Sequence, residues 1–267
     1  MMFRKYIALM KGGIMEMLHF RLSIFVLIGG NLLYLAVVYF LWKAIFDSAG
    51  TESVNGMTFE STLIYLVLAS ALFNFMEMYV VWNMGRAIQS GKIVLHLIRP
   101  MDYKNYQFWE FSGNLVVQFV TTFLPTFIAV AVITKGAVPL GWNLIPFIIS
   151  VVLAIIINYD IDFIVGTVCL YTESIWGINI MKQVIVLLFS GATIPLAFFP
   201  EGLRRVVDFL PFRAVYDSPL TILLGGTQIT EDVMNTLLIQ LIWVVILGLF
   251  SRGFWKISLR QITVNGG

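Results

Sequence analysis

"LSIFVLIGGNLLYLAVVYFLW", residues 22–42, contains no charged side chain. An α-helix needs about 20 predominantly apolar residues to cross the hydrocarbon core of a bilayer, and this stretch meets that requirement. The rest of the chain has the same character, because 59% of its 267 residues are hydrophobic and only 12% are charged. Soluble domains carry about 25% charged residues. The composition therefore excludes an ordinary soluble domain and predicts a membrane protein.

Further apolar stretches of similar length follow at residues 61–84, 111–134, 144–171, 174–199 and 233–250. Pro139 and Pro146 favour a late start for the fourth of the six spans, since proline is best tolerated in the first turn of a helix. The sequence predicts an all-α membrane protein with six transmembrane helices in a single domain, residues 1–267.

The Lys and Arg residues indicate the orientation of these spans. An even number of spans places both termini on one side, and loops rich in Lys and Arg stay in the cytoplasm. The N-terminal segment, residues 86–104 and the C-terminal tail together hold eleven Lys and Arg, and the opposite loops hold five. We therefore expect a multi-pass protein with both termini and the loop at residues 87–106 in the cytoplasm.

Residues 1–21 precede the first span and carry an apolar stripe with helical spacing. Ile7, Met10 and Ile14 recur at three- and four-residue steps. Such a stripe predicts an amphipathic helix lying in the membrane interface. The alternative is a cytoplasmic extension of the first span.

The loop at residues 87–106, "AIQSGKIVLHLIRPMDYKNY", is longer than the few residues that would connect two spans. Its apolar side chains include Ile88, Ile93, Leu95, Leu97 and Ile98, its polar and basic ones are Lys92, His96 and Arg99, and Pro100 ends any helix near Arg99. This pattern favours either a short helix that docks on a soluble partner or a basic loop bound to lipid headgroups.

Three stretches carry a resemblance to a known family: "IQSGKIVLHLIRPMDY" (88–103), "CLYTESIWGI" (169–178) and "SGATIPLAFFPEGLRRVVDFLPFRAVYDSPLTILLGG" (190–226). Together they resemble type-2 ABC exporter permeases, in the branch of multidrug or viologen-type exporters. The resemblance implies a transmembrane permease subunit whose residues 87–106 form a coupling loop, with a short coupling helix between spans two and three.

On this resemblance, each coupling residue has an expected role. Gly91 permits a close approach, Ile93, Leu95 and Leu97 enter a cleft of the ATPase, and Lys92, His96 and Arg99 orient the loop. The chain contains no G-x-x-x-x-G-K-[ST] phosphate loop. We therefore expect no cofactor in this chain, with ATP and Mg bound by a separate ATPase.

The resemblance also implies partners and a location. We expect two copies of a cytoplasmic ABC ATPase and a second permease, identical or sister, as partners. The permease is expected in the bacterial plasma membrane, in contact with membrane lipids, and no nucleic-acid partner is expected.

Charged and amide side chains inside predicted spans are candidate functional residues, because they are costly in hydrocarbon. Asn74 and Glu77 lie in the second span. Glu77 either reaches the cytoplasmic interface or forms part of the transport path.

Asp160, Asp162 and Lys182 lie in the fourth and fifth spans. If these spans turn near Glu173, Asp162 and Lys182 lie at similar depth on neighbouring helices, which predicts an ion pair. Asp160 points elsewhere, since two residues turn a helix by about 200°, so it needs another partner, a water-filled cavity or a broken helix. A contact with cargo remains an alternative to structural pairing.

Prolines and charges alternate in the segment between spans five and six. The residues concerned are Pro195, Pro200, Glu201, Arg204, Arg205 and Pro211. We expect residues 200–226 to form an outer re-entrant helical segment that the resemblance places as a lid over the exit. An ordinary amphipathic surface loop is the alternative.

The leading hypothesis is an ATP-driven exporter subunit that moves an apolar or amphipathic cargo out of the cytoplasm or inner leaflet. The alternatives are an ATP-independent channel or transporter, or a carrier of lipid-linked glycans. No metal site is expected, and an enzyme is disfavoured because His19 and His96 form no H-E-x-x-H motif.

Overall fold

The computed structural model of the protein describes residues 2–19, 21–172, 174–228 and 230–261. Met1, Phe20, Glu173, Ile229 and residues 262–267 lie outside the described residues. They include the ends of the predicted domain, part of the predicted interfacial helix and the residue at which spans four and five were predicted to turn. The first half contains α1 (Met2–His19), α2 (Arg21–Ala49), β1 (Ser53–Val54), β2 (Met57–Thr58), α3 (Phe59–Met76), α4 (Val80–Gln89), α5 (Ile93–Leu97), α6 (Tyr103–Gln118) and α7 (Leu124–Ile133). The second half contains α8 (Leu144–Val168), α9 (Ile175–Phe189), α10 (Glu201–Asp208), α11 (Asp217–Leu224) and α12 (Glu231–Ser258).

The long helices define two ends of the bundle. Helices α8 and α12 run parallel, since Ser150, Asp160 and Tyr171 contact Gln240, Ser251 and Ser258 in the same order. One end, the loop end, carries α1, residues 90–102 and the C-terminal part of α12. The far end carries the β1–β2 hairpin and residues 190–230. Contacts between distant residues mark each end: Tyr171 Oη donates to Ser258 Oγ at 2.9 Å at the loop end, and Asn143 Nδ2 donates to the Leu223 carbonyl at 2.9 Å at the far end.

Five stretches among the described residues are long and apolar enough to cross a membrane. They are Ile28–Ala49, Phe59–Gln89, Tyr103–Ile133, Leu144–Val168 and Glu231–Ser258. Each includes most of one predicted span, so an all-α membrane protein is confirmed as the fold class.

The predicted fifth span differs in its helical extent. The α9 helix ends at Phe189 instead of continuing to Phe199, because Ser190 and Gly191 turn the chain and Gly191 has a φ of +80°. Its 15 residues reach about 22 Å at 1.5 Å per residue, which is shorter than the hydrocarbon core of about 30 Å. The count of six spans therefore stays a prediction.

Two of the spans are interrupted. The second consists of α3 and α4, separated by residues 77–79. The third consists of α6 and α7, joined by a π-helical segment, Phe119–Phe123. Pro125 follows that segment at the start of α7, where its missing N–H prevents a regular helical hydrogen bond and favours the change of helix type.

Helix α8 lies at the centre of the bundle and packs against α4, α9, α11 and α12. Its inner side chains are fully buried with those of α3 and α11, for example Leu68, Ala154, Ile157, Phe163 and Leu220. The core is therefore built around the predicted fourth span.

Helix α1 packs along α6 through two glycines. A Cβ atom added at Gly13 would lie 2.5 Å from the Glu110 carbonyl oxygen, and one at Gly113 would lie 2.3 Å from the Met10 carbonyl oxygen. The two backbones therefore touch, and larger residues would separate them. Gly12 and Gly13 do not bend α1, which is one continuous helix from Met2 to His19.

Gly13→Ala should destabilise the protein, because the new methyl group forces α1 away from α6, and overpacking of this kind costs about 1–3 kcal/mol. The measurement is thermal unfolding of the purified protein in detergent. Gly12→Ala is the matched control: a Cβ there meets nothing within 4 Å, and alanine stabilises a helix relative to glycine. Equal melting temperatures for the two variants would contradict the packing contact.

Candidate functional site

A groove runs along one side of the bundle between α2, α3 and the α6–α7 pair and encloses about 900 Å³. Most of its wall is apolar, with Leu32, Leu63 and Ile133 among the lining residues. The carboxylates that line it are Glu16, Glu60 and Glu77. Because it has polar groups within an apolar wall, the groove can accommodate a molecule with both polar and apolar parts.

Asn74, predicted as a polar residue of the transport path, links two walls of this groove. Asn31 Oδ1 on α2 accepts hydrogen bonds from Ser70 Oγ at 2.7 Å and from Asn74 Nδ2 at 3.0 Å. Asn74 Nδ2 also donates to the Ser70 carbonyl at 2.9 Å. These bonds join α2 to α3 within the span.

A second cavity of about 920 Å³, here called the loop cavity, lies at the loop end. It is enclosed by α1, α4, α6 and the chain from Ser90 to His96. Glu16, Tyr79 and Asn114 line both the loop cavity and the groove. The two spaces are therefore adjacent, and their lining residues together extend from the predicted coupling loop to the far end of α3.

Glu77 lies where the second span is broken. It follows α3 in an extended conformation, with φ −68° and ψ 121°, and the helix resumes at Val80. Asn158 Nδ2 on α8 donates to the Met76 carbonyl at 2.9 Å, which satisfies one of the backbone groups that the break exposes. Glu77 lines the groove on one side and a small cavity beside Asp162 and Lys182 on the other.

The predicted ion pair between Asp162 and Lys182 is confirmed. Lys182 Nζ lies 2.8 Å from Asp162 Oδ1, and the two side chains are 13% and 1% exposed. Asp162 Oδ2 has no hydrogen-bond partner among the described residues. Because both side chains are buried, each charge needs the other as a partner: a single ionised group in this environment would strongly destabilise the folded protein.

Asp160 has a partner that we did not predict. It forms a salt bridge with Lys104, the second residue of α6. Ser251 Oγ on α12 accepts a 2.6 Å hydrogen bond from Lys104 Nζ and donates to Asp160 Oδ1 at 3.3 Å. The Tyr159 hydroxyl also donates to the Lys104 carbonyl. Of the three possibilities for Asp160, another partner is therefore the one observed.

Lys104 lay in the stretch that the sequence placed in the cytoplasmic loop, yet it is only 7% exposed. Helix α6 begins at Tyr103, well before residue 111, where the apolar run begins. A signal was present, since Asp102 has the sequence position of a helix N-cap and its carboxylate accepts from the Asn105 amide at 3.1 Å. The cap would have placed Lys104 on a helix.

The predicted coupling residues surround the short helix α5, which places them in different environments. Ile93 is 2% exposed and lies in the chain's own core, whereas Leu95 is 59% and Ile98 74% exposed. In this conformation, therefore, Leu95 and Ile98 are accessible to a partner and Ile93 is not. Leu97 and Ile88 are half-buried against the core.

The remaining predicted coupling residues determine the backbone turn and the positive charge of this loop. Gly91 has a φ of +70°, which favours glycine, and it ends α4. Lys92, Arg99 and Pro100 are exposed. The Arg99 guanidinium lies 4.7 Å from the centre of the Tyr106 ring. Burial, with a further contribution from Arg99, lowers the pKa of His96.

The predicted outer segment contains α10 and α11. Pro200 immediately precedes α10, Pro195 precedes a single 3₁₀ turn, and Pro211 is half-buried. Glu201, Arg204 and Arg205 are exposed, and the 3.7 Å contact between Arg205 and Glu201 contributes little at such exposure.

A hydrogen-bond network that we did not predict holds this segment to α3. The Tyr65 hydroxyl donates to Asp217 Oδ1 at 2.9 Å. Arg213 Nε lies 3.0 Å from Asp217 Oδ2, and Arg213 Nη1 lies 2.7 Å from Asp208 Oδ1. Tyr65 and Asp217 are 152 residues apart, so no periodicity could have paired them. Arg213 and Asp217 have the i,i+4 spacing of a helical ion pair, which was a signal in the sequence.

The family model described as "ABC-2 family transporter protein" matches residues 32–266. No curated protein matches the chain in sequence. Because the match covers most of the 267 residues, the chain belongs to the ABC-2 transporter family and is a type-2 ABC permease, a multi-pass membrane subunit. Permeases of this family generally work with a cytoplasmic ATPase.

Lys182→Met should sharply reduce stability, since it leaves Asp162 buried and unpaired at a cost of about 3–5 kcal/mol. Adding Asp162→Asn removes the orphaned charge and should recover part of the loss. Thermal unfolding in detergent and the yield of folded protein measure both effects. Lys43→Met, at an exposed position, is the control. A double variant no more stable than Lys182→Met would count against the pair.

Proposed function

We propose that this permease is the transmembrane subunit of an ATP-driven exporter. It moves an apolar or amphipathic cargo from the cytoplasm or the inner leaflet to the outside, and a separate ATPase drives it through residues 87–106. The observation that carries this proposal is the adjacency of the loop cavity and the groove, which share Glu16, Tyr79 and Asn114 and together extend from residues 90–96 to the far end of α3.

The surface of the loop supports docking of a soluble partner. Leu95 and Ile98 are exposed together, and Lys92 and Arg99 lie on the same short segment. An apolar centre with cations around it is suited to a protein cleft with acidic edges. An ATP-independent channel would leave this surface without a partner.

The groove supports an amphipathic cargo and a second permease. Its apolar wall and its amide and carboxylate groups are suited to a molecule with both kinds of surface. In this proposal two permeases, identical or sister, complete the path between them, two ATPases bind ATP and Mg, and the complex lies in the bacterial plasma membrane with both permease termini in the cytoplasm.

Residues 200–226 act as the outer lid in this proposal. Their attachment to α3 through Tyr65 and Asp217 connects them to the helix that lines the groove. Because α3 belongs to the same span as α4, which leads into the loop, a movement at the loop end can reach the lid through one span.

Tagged permease should copurify with a cytoplasmic ATPase, and Lys92→Glu combined with Arg99→Glu should weaken that complex by about 10-fold, since charge complementarity across an interface is replaced by repulsion. Binding is measured by pull-down at fixed salt and by the nucleotide hydrolysis of the complex. Lys43→Glu, an exposed charge reversal at the far end, should leave binding unchanged.

Two results would contradict this proposal. One is full transport by the purified permease without nucleotide hydrolysis. The other is labelling of a cysteine at position 98 from the outside of intact cells, since the loop must face the cytoplasm to meet an ATPase.

A further inference from the structure

The loop cavity has charges of opposite sign on opposite walls. Arg86 and Lys92 belong to α4 and the chain that follows it, whereas Glu16 belongs to α1 and Glu110 to α6. None of these four side chains forms a salt bridge with another described residue. The cavity therefore has a basic wall and an acidic wall, and its charges are not neutralised by ion pairs across it.

Two residues that line this cavity each carry a buried polar atom for which the described residues supply no hydrogen-bond partner. Gln107 is 2% exposed, and its Oε1 atom accepts no hydrogen bond, while its Nε2 donates to the Tyr103 hydroxyl at 2.6 Å. His96 Nδ1 is likewise buried without a partner. A buried acceptor of this kind destabilises the protein unless a donor meets it. The Gln107 carbonyl therefore indicates a ligand that carries N–H or O–H groups.

The cavity adjoins a mostly apolar space. It shares Glu16, Tyr79 and Asn114 with the groove, whose walls include Leu35, Val67 and Val130. The polar and charged space thus lies at the loop end of the spans, where headgroups of one leaflet lie, and the apolar space lies along the spans. This order of polarity matches one lipid molecule, with its headgroup in the cavity and its acyl chains in the groove.

We propose that the loop cavity and the groove bind a zwitterionic phospholipid whose headgroup ends in a primary ammonium. The phosphate lies against Arg86 and Lys92, and the ammonium donates to Gln107 Oε1 and faces Glu110. An anionic headgroup would leave the acidic wall without a partner. A quaternary ammonium has no N–H and would leave Gln107 Oε1 unsatisfied. That this lipid is the transported cargo rests on the function proposed above.

The test uses the full-length permease in detergent without nucleotide. The probes are three phospholipids with the same fluorophore on the acyl chain, with ethanolamine, choline and glycerol headgroups, and binding is measured by fluorescence anisotropy. We expect the ethanolamine lipid to bind about 10-fold more tightly than either of the others, in line with one hydrogen bond to a charged group.

Variants assign this preference to the cavity. Glu110→Gln and Gln107→Leu should each reduce the preference for ethanolamine over choline at least threefold. Glu110→Gln keeps an oxygen that can accept from the Tyr106 hydroxyl, so it tests the charge with little change of packing. Arg86→Gln with Lys92→Gln should weaken the ethanolamine and choline lipids alike, whereas Lys43→Gln should change neither. Thermal unfolding confirms that each variant is folded.

Equal affinity for the three lipids, or a preference that Glu110→Gln leaves unchanged, would overturn the proposal. Its failure is distinguishable from that of the proposed function. A permease that copurifies with an ATPase but shows no headgroup preference loses only the lipid assignment. A permease that shows the headgroup preference but copurifies with no ATPase would support the lipid-binding site and contradict the proposed ATP-driven transport.

Discussion

The arrangement of the bundle depends on Asp160 and Asp162, two carboxylates that lie two residues apart on α8 and each need a cation from a neighbouring helix. A charged side chain in the middle of a membrane costs about 2.5–3.5 kcal/mol on insertion scales, so Asp160 and Asp162 each need a cation. Because they point about 200° apart on the helix, the cations must come from different sides. Lys104 arrives from α6 and Lys182 from α9. The two pairs therefore determine on which sides of α8 the neighbouring helices lie.

The Lys104–Asp160 pair also determines how the loop at residues 87–106 is attached. The loop leaves the bundle from α4, which packs on α8, and returns at the start of α6, where Lys104 is bound to Asp160 and Ser251. Aromatic contacts strengthen this return point, since the Tyr103 ring stacks on that of Trp255 with centres 5.0 Å apart. Both ends of the loop are thus anchored to α8, since α4 packs on it and Lys104 of α6 binds Asp160.

The broken second span divides the molecule into parts with different neighbours. Helix α4 packs on α8 and α9, whereas α3 packs on α2, α7 and α11. The break leaves backbone groups that need partners, and Asn158 supplies one at the Met76 carbonyl. Glu77 lies at this junction, between the groove and the buried Asp162–Lys182 pair. The junction therefore separates the loop side of the permease from the helix that holds the outer segment through Tyr65.

The sequence by itself determined the class of the protein, because about 20 apolar residues in a row have no stable place except in a bilayer. It also predicted the Asp162–Lys182 pair, since depth along two neighbouring helices follows from a constant rise per residue. Only the tertiary structure decided which loop residues are accessible, that Lys104 is the partner of Asp160, and that Asp217 binds Tyr65 across 152 residues. These contacts depend on how each helix is rotated about its own axis. A span that is apolar all round carries little sequence information about which face meets which neighbour, so packing alone determines that rotation.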